Sequence, residues 1–237
     1  MLHIKNALIY TMTGEIIENG SILISEGKIV DLGQNLNVSS NCEEIDAGGR
    51  MVTPGFIDAH CHIGLGETGI GFEGADYNER IDPLTPHLRA IDAINPMDVA
   101  LRHAYEAGVT TAVTGPGSAN VVGGTFTAIK TYGHRVDDMV IKDPIAMKVA
   151  FGENPKRVYN SQGKSPVTRM ATAALLRDLL FRSKVYMEKK EKAIEEGKIA
   201  DFDIKLEAMI PVVKKEIPIK AHAHRADDIF TALRIAK

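Results

Sequence analysis

Tryptophan is absent from this 237-residue chain and aromatic residues are scarce, while aliphatic residues are ordinary in number. The length still suffices to bury a substantial core, as one large domain or two smaller ones. Cysteine is nearly missing too. Cys42 and Cys61 alone cannot make a disulfide framework the organising principle. No apolar run approaches the ~18–20 residues needed to span a bilayer. Met1 to Tyr10 lack the basic start, apolar stretch and cleavage site of a signal peptide. A strong charge of either sign is also lacking. A net charge of −3 with no Lys/Arg stretch gives no footprint for nucleic acid and none for a membrane surface. Together these absences describe a soluble protein of a reducing, cytoplasmic compartment.

What is present falls into two styles. Residues 1–52 read as a small β-rich domain. Leu2-His3-Ile4, Ala7-Leu8-Ile9, Ile22-Leu23-Ile24 and Ile29-Val30 are short β-prone runs, with Asn19-Gly20 and Glu26-Gly27 as tight-turn signals between them. So small a segment cannot hide both faces of a sheet alone, and it should pack on something else. From Thr53 onward, strand-like and helix-like stretches alternate. Asn95-Pro96 reads as a helix start with Asn95 as the cap, and Gly108 as its stop. Val109 to Val113 is then a strand, followed by strands over Thr125–Lys130, Ile145–Phe151 and Ile217–His224. Ser165-Pro166 opens a long helix that runs to about Glu196, and its charged second half, Glu188 to Lys192, is a solvated face. A helix over Asp203–Glu216 should kink or break at Pro211. Alternating strands and helices imply a parallel sheet. The expected fold class is therefore α/β: residues 53–237 form a partial (β/α)8 barrel of about five βα units, with its chemistry at the C-terminal strand ends. A small sandwich-like β-domain precedes it.

Side chains two apart share a face of a strand. In Phe56-Ile57-Asp58-Ala59-His60-Cys61-His62 the residues Phe56, Asp58, His60 and His62 point one way. Two imidazoles at a strand end, just before a glycine-rich loop, can converge on one divalent cation; the bland alternative is that both are core or surface histidines. In the last strand Lys220, His222 and His224 share a face. Strand geometry prefers His224, nearest the mouth, as a ligand over His222, and whichever is not the ligand is a buried, hydrogen-bonded histidine. In the preceding strand Ile145, Met147, Val149 and Phe151 would face helices and Ala146, Lys148 and Ala150 the interior. A buried lysine tends to lose its proton; a register slip of one would instead put Lys148 on the surface or in an ion pair. Gly115-Pro116-Gly117-Ser118 and Gly123-Gly124 read as turns. Glu67, Glu73, Asp76, His87 and Arg89 lie close after the histidine pair without an assignable role.

Thr53-Pro54-Gly55-Phe56-Ile57-Asp58-Ala59-His60-Cys61-His62, placed between a β-rich segment and βα units, resembles the first-strand signature of the metal-dependent amidohydrolase superfamily. The overall texture is most similar to its imidazolonepropionase-like and prolidase-like branches. His224-Arg225-Ala226-Asp227 resembles the family's strand-five metal ligand and the pattern that follows it. The resemblance implies one or two divalent ions, zinc foremost, held by His60, His62 and His224 or His222. Lys148 stands where several members carry a CO₂-modified lysine between two metals. It implies hydrolysis of an amide, peptide or cyclic amide C–N bond in a small or dipeptide-like substrate by metal-activated water. Deamination of a heterocycle, or a non-catalytic metal-binding barrel fragment, are the other readings. The family's strand-six histidine and strand-eight aspartate cannot be placed, so no catalytic base is assigned. This polypeptide alone is expected to be a poor catalyst, and its open sheet edge should draw a second copy or a missing C-terminal half.

Overall fold

In the computed structural model, which describes residues 1–38 and 41–237, the chain divides into two compact units, Met1–Gly55 and Phe56–Lys237. In the first unit the two leading apolar runs merge into one strand, β1 (Leu2–Tyr10). Asn6, at positive φ, absorbs the break between them as a bulge. β2 (Ile16–Ser25) pairs antiparallel with β1, and β3 (Lys28–Gly33) with β2. β4 (Glu43–Asp46) and β5 (Met51–Val52) both add to β1 in parallel. The described residues thus form a single five-stranded sheet and not the expected sandwich. Glu26-Gly27 makes the β2–β3 turn with both residues at positive φ, the conformation a two-residue hairpin favours. Asn19-Gly20 does not turn the chain. It lies within β2, with Asn19 at positive φ where the register to β1 shifts. One face buries Ala7, Ile9, Ile17, Ile22 and Ala47, while Ile29, Val30, Ile45 and Met51 stay exposed.

The second unit is built on strands β6 (Phe56–Cys61), β7 (Val109–Thr114), β8 (Val122–Lys130), β9 (Val140–Ala150) and β10 (Ile219–His222), in spatial order β10-β9-β8-β7-β6. Its helices are α1 (Val99–Glu106), α2 (Val136–Met139), α3 (Glu153–Asn160), α4 (Arg169–Glu195), α5 (Ile204–Val213) and α6 (Ala226–Ala236). β6 and β7 are parallel, as are β9 and β10, but β8 runs antiparallel to both its neighbours. The expectation of five successive parallel βα units is corrected at this point. Only Gly115 to Val121 separate β7 from β8, and a parallel crossover needs about a dozen residues or more. The sheet is mixed, and it curls into a half-barrel.

Helix boundaries follow the caps. Asp98 caps α1 by accepting the Ala100 N–H at 3.2 Å; Asn95 instead holds a turn ahead of it, accepting the Met97 N–H at 2.9 Å. Thr168 caps α4 and Asp203 caps α5. Pro211 sits inside α5, which ends two residues later. The β9 alternation holds from Ala146 onward: Met147, Val149 and Phe151 pack with Leu176 and Leu179 of α4 and Leu206 and Met209 of α5, whereas Ile145, expected on that face, packs against the Val113, Phe126 and Ala128 cluster. Ala146 packs on the other face with Val113, Phe126 and Ala128.

Gly124 locks the loop after β6 onto this sheet. Its φ is +124°, and a Cβ there would stand 2.3 Å from the Leu88 carbonyl oxygen, which itself accepts the Thr125 N–H at 2.8 Å. Backbone conformation and space therefore both exclude a side chain. Gly124→Ala should cost about 2 kcal/mol or more of stability, read as a lowered urea midpoint with an unchanged slope.

Candidate functional site

The inner face of the second sheet carries polar groups over one aromatic ring. Phe126 of β8 is fully buried. Its ring centroid lies 5.0 Å from that of His60 and 6.5 Å from that of His62. The amines of Lys148 and Lys220 stand 5.8 and 4.7 Å from the same centroid. Space for the ring comes from Gly115, where a Cβ would meet Phe126 at 2.4 Å.

The β9 register turns Lys148 inward and leaves it 1 % exposed, so a surface position is ruled out. Its Nζ lies 3.3 Å from His60 Nε2. Burial pushes Lys148 down to about 8, with the Lys220 amine adding to the effect. His60 is pushed down to about 4, first by burial and then by Lys148 and Lys220. At neutral pH His60 is therefore a neutral imidazole whose Nε2 lone pair accepts from the lysine ammonium.

His62 lies one residue past β6. Its Nδ1 is 2.6 Å from the Gly115 carbonyl oxygen. A carbonyl only accepts, so Nδ1 carries a proton, and in the neutral imidazole the lone pair is on Nε2. Tyr77 stacks on this imidazole at a centroid distance of 6.1 Å. A histidine whose second nitrogen is tied to a carbonyl has the orientation and tautomer of a metal ligand.

At the end of β10 the His222 and His224 rings meet edge to face, with centroids 4.5 Å apart. The strand stops at His222, whose backbone carbonyl accepts the Phe151 N–H at 2.9 Å and whose Nε2 meets the Asn154 side-chain amide at 3.1 Å. Burial lowers the His222 pKa, and His224 and Lys148 lower it further. His224 falls beyond the strand, with Nε2 3.8 Å from Glu153 Oε1. The strand-geometry preference for His224 over His222 is not carried by this placement, because strand alternation ends at His222.

The structure thus groups His60, His62 and Lys148, and pairs His222 with His224 edge to face at a ring-centroid distance of 4.5 Å. Among the described residues no three His, Cys, Asp or Glu side chains gather to hold a cation. Arg89 pairs with Asp143, Glu67 accepts from Asn95, and neither enters the group. Sequence reasoning missed Phe126 and Gly115. Phe126 alternates with Ala128 on a strand whose direction was misassigned, and Gly115 gave no signal beyond that of a turn.

No protein-family model matches the chain. It superposes over its whole length on the crystal structure of an amidohydrolase from Thermotoga maritima MSB8, with a TM-score of 0.93 and 45 % identity, covering 61 % of that chain. It is 30 % identical over 234 residues to the amidohydrolase tasK of Hapsidospora irregularis, an alignment of 89 % of this chain and 24 % of the relative. It is 35 % identical over 72 residues to an imidazolonepropionase of Staphylococcus aureus, or 28 % of this chain and 18 % of that one. The chain spans less than two thirds of the length of each of these proteins. With the histidine pair, the buried lysine and a backbone that follows an amidohydrolase throughout, the chain belongs to the amidohydrolase superfamily.

Proposed function

We propose that this chain supplies the first half of a divalent-metal centre for hydrolysis of C–N bonds in small amides, cyclic amides or dipeptide-like molecules, in a cytoplasmic setting. The observation that carries the proposal is the state of His62. Its Nδ1 is committed to the Gly115 carbonyl, which leaves Nε2 as a free donor beside the His60–Lys148 pair. Zinc suits such imidazole donors. A bound divalent ion would polarise the scissile carbonyl and ease loss of a proton from water.

The donor set fits such an ion once Lys148 changes its chemistry. Burial has already brought the amine towards neutrality. The neutral amine adds CO₂ and releases one proton, turning a nitrogen donor into a carbamate with two anionic oxygens. That would place an oxygen donor next to His60 and relieve the unfavourable buried cation. His222 would join from β10 by giving up its contact with Asn154. His60 and His62 would hold the ion, a carbamate on Lys148 would supply oxygen donors, and Phe126 with Tyr77 would shield one side of the imidazoles.

Metal content by elemental analysis tests the ligand assignment. The wild-type chain, purified and zinc-loaded under bicarbonate, should hold near-stoichiometric metal, and the His60→Ala/His62→Ala double variant should hold none. Equal metal in both forms, or none in the wild type, would remove the first-strand site.

Lys148→Met tests the lysine independently. An amine with a folded pKa of about 8 against an ordinary value of 10.5 binds its proton less well in the folded state. The unfolded chain then holds more protons between those values, so wild-type stability rises as pH climbs through that window. At pH 7 the metal-free Lys148→Met chain should be more stable than wild type by on the order of 2 kcal/mol. That gap should close between pH 8 and 10.5, while the variant loses metal affinity. Calorimetry across this range reads both.

A further inference from the structure

We propose that Asp58 and Lys220 clamp a single peptide group, Ala59–His60, and so act as positioning residues for His60. Asp58 Oδ1 accepts the His60 backbone N–H at 3.0 Å. The Lys220 amine donates to the Ala59 carbonyl oxygen. These are the two polar ends of the same peptide plane, one held from within β6 and the other from β10. With both ends fixed, that plane cannot rotate about the strand axis, and the His60 Cα–Cβ bond is aimed at Lys148.

The reach of Lys220 also has a topological meaning. β6 and β10 are the two outermost strands of the sheet. In a flat sheet four strand spacings would separate them by about 19 Å, far beyond a lysine side chain. The contact exists because the sheet curls, and the amine spans the chord of the curl. Its path crosses the Phe126 ring face at 4.7 Å, a cation–π contact that favours the crossing conformation. Asp58 attracts the same amine through space, so the two ends of the clamp reinforce each other. Neither residue needs to touch substrate or metal for this role.

The inference rests on the proposed ligand role of His60, and the test separates the two. The full chain is prepared as wild type, Lys220→Met, Lys220→Arg, Asp58→Ala and Asp58→Asn. Arginine keeps a donor at position 220, and asparagine keeps an acceptor at position 58. Far-UV circular dichroism checks that each variant folds. Amide hydrogen exchange at His60 is measured on metal-free protein, and zinc affinity by competition with a chromophoric chelator. Lys220→Met should speed exchange of the His60 amide about tenfold, although it removes no partner of that amide, and should weaken zinc binding 10- to 100-fold at unchanged stoichiometry. Asp58→Ala should do the same from the other end, and it reads the clamp if Lys220→Met does not fold. Lys220→Arg and Asp58→Asn should stay close to wild type.

Wild-type exchange at His60 in Lys220→Met would overturn the clamp whatever the metal does. If even the wild-type chain binds no zinc, the ligand role of His60 fails on its own. The exchange comparison then decides the clamp: faster exchange in Lys220→Met with rescue in Lys220→Arg sustains it, and no change overturns it.

Discussion

A lysine amine buried to 1 % exposure on the inside of a sheet is the constraint around which the second unit is arranged. An uncompensated ammonium in such a place costs several kcal/mol. Two groups near Lys148 lower that cost without supplying a full counter-charge, while the Lys220 amine raises it. His60 offers a lone pair at 3.3 Å, and the Phe126 ring offers its negative face at 5.8 Å. Among the described residues no carboxylate pairs with it, and the amine answers by shifting towards neutrality. The apolar work is done on the opposite face, where Met147, Val149 and Phe151 bury against α4 and α5. One strand thus serves two masters by alternation: Met147, Val149 and Phe151 hold the fold, and Lys148 faces the other way.

Aromatic scarcity sharpens the meaning of the rings that are present. Phe126 lies under both imidazoles and both amines, and its position depends on the missing side chain of Gly115. That same Gly115 presents the carbonyl that fixes His62. A glycine read from sequence as a turn is thereby the joint between the ring floor and one histidine. A Cβ there would disturb packing and tautomer together, so the two cannot be separated by a single substitution.

What the sequence made legible was periodicity and residue chemistry. The two-residue repeat set His60 on a chosen face of β6 and turned Lys148 inward on β9, and Ser165-Pro166 and Asp203 marked helix starts within a few residues of the observed ones. Direction and curvature were not legible in the same way. β8 reads as a strand, yet nothing in Thr125 to Lys130 states its polarity; that follows from the shortness of Gly115 to Val121. Asn19-Gly20 has the composition of a turn, but composition reports only tolerance of positive φ, and a bulge in β2 uses the same tolerance. At β10 alternation was extended past His222, and the strand ends there.

The two sides of the candidate site differ in readiness. On β6, His62 already has its tautomer set by a carbonyl, and the His60 peptide is held at both ends. On β10, His222 spends its Nε2 on Asn154, and His224 is drawn to Glu153. A ligand assembled from both sides would therefore bind first to the pre-set pair and recruit His222 only by breaking an existing hydrogen bond. Exchanging one neutral hydrogen bond is a step of about 1 kcal/mol, small beside the gain from a metal–imidazole bond. The asymmetry thus orders the events of binding without forbidding any of them. It also suits the Lys220 side chain, which crosses from β10 to β6, to be an amine donating to backbone. A donor to a carbonyl can tie the late side of the site to the early one without competing for either imidazole.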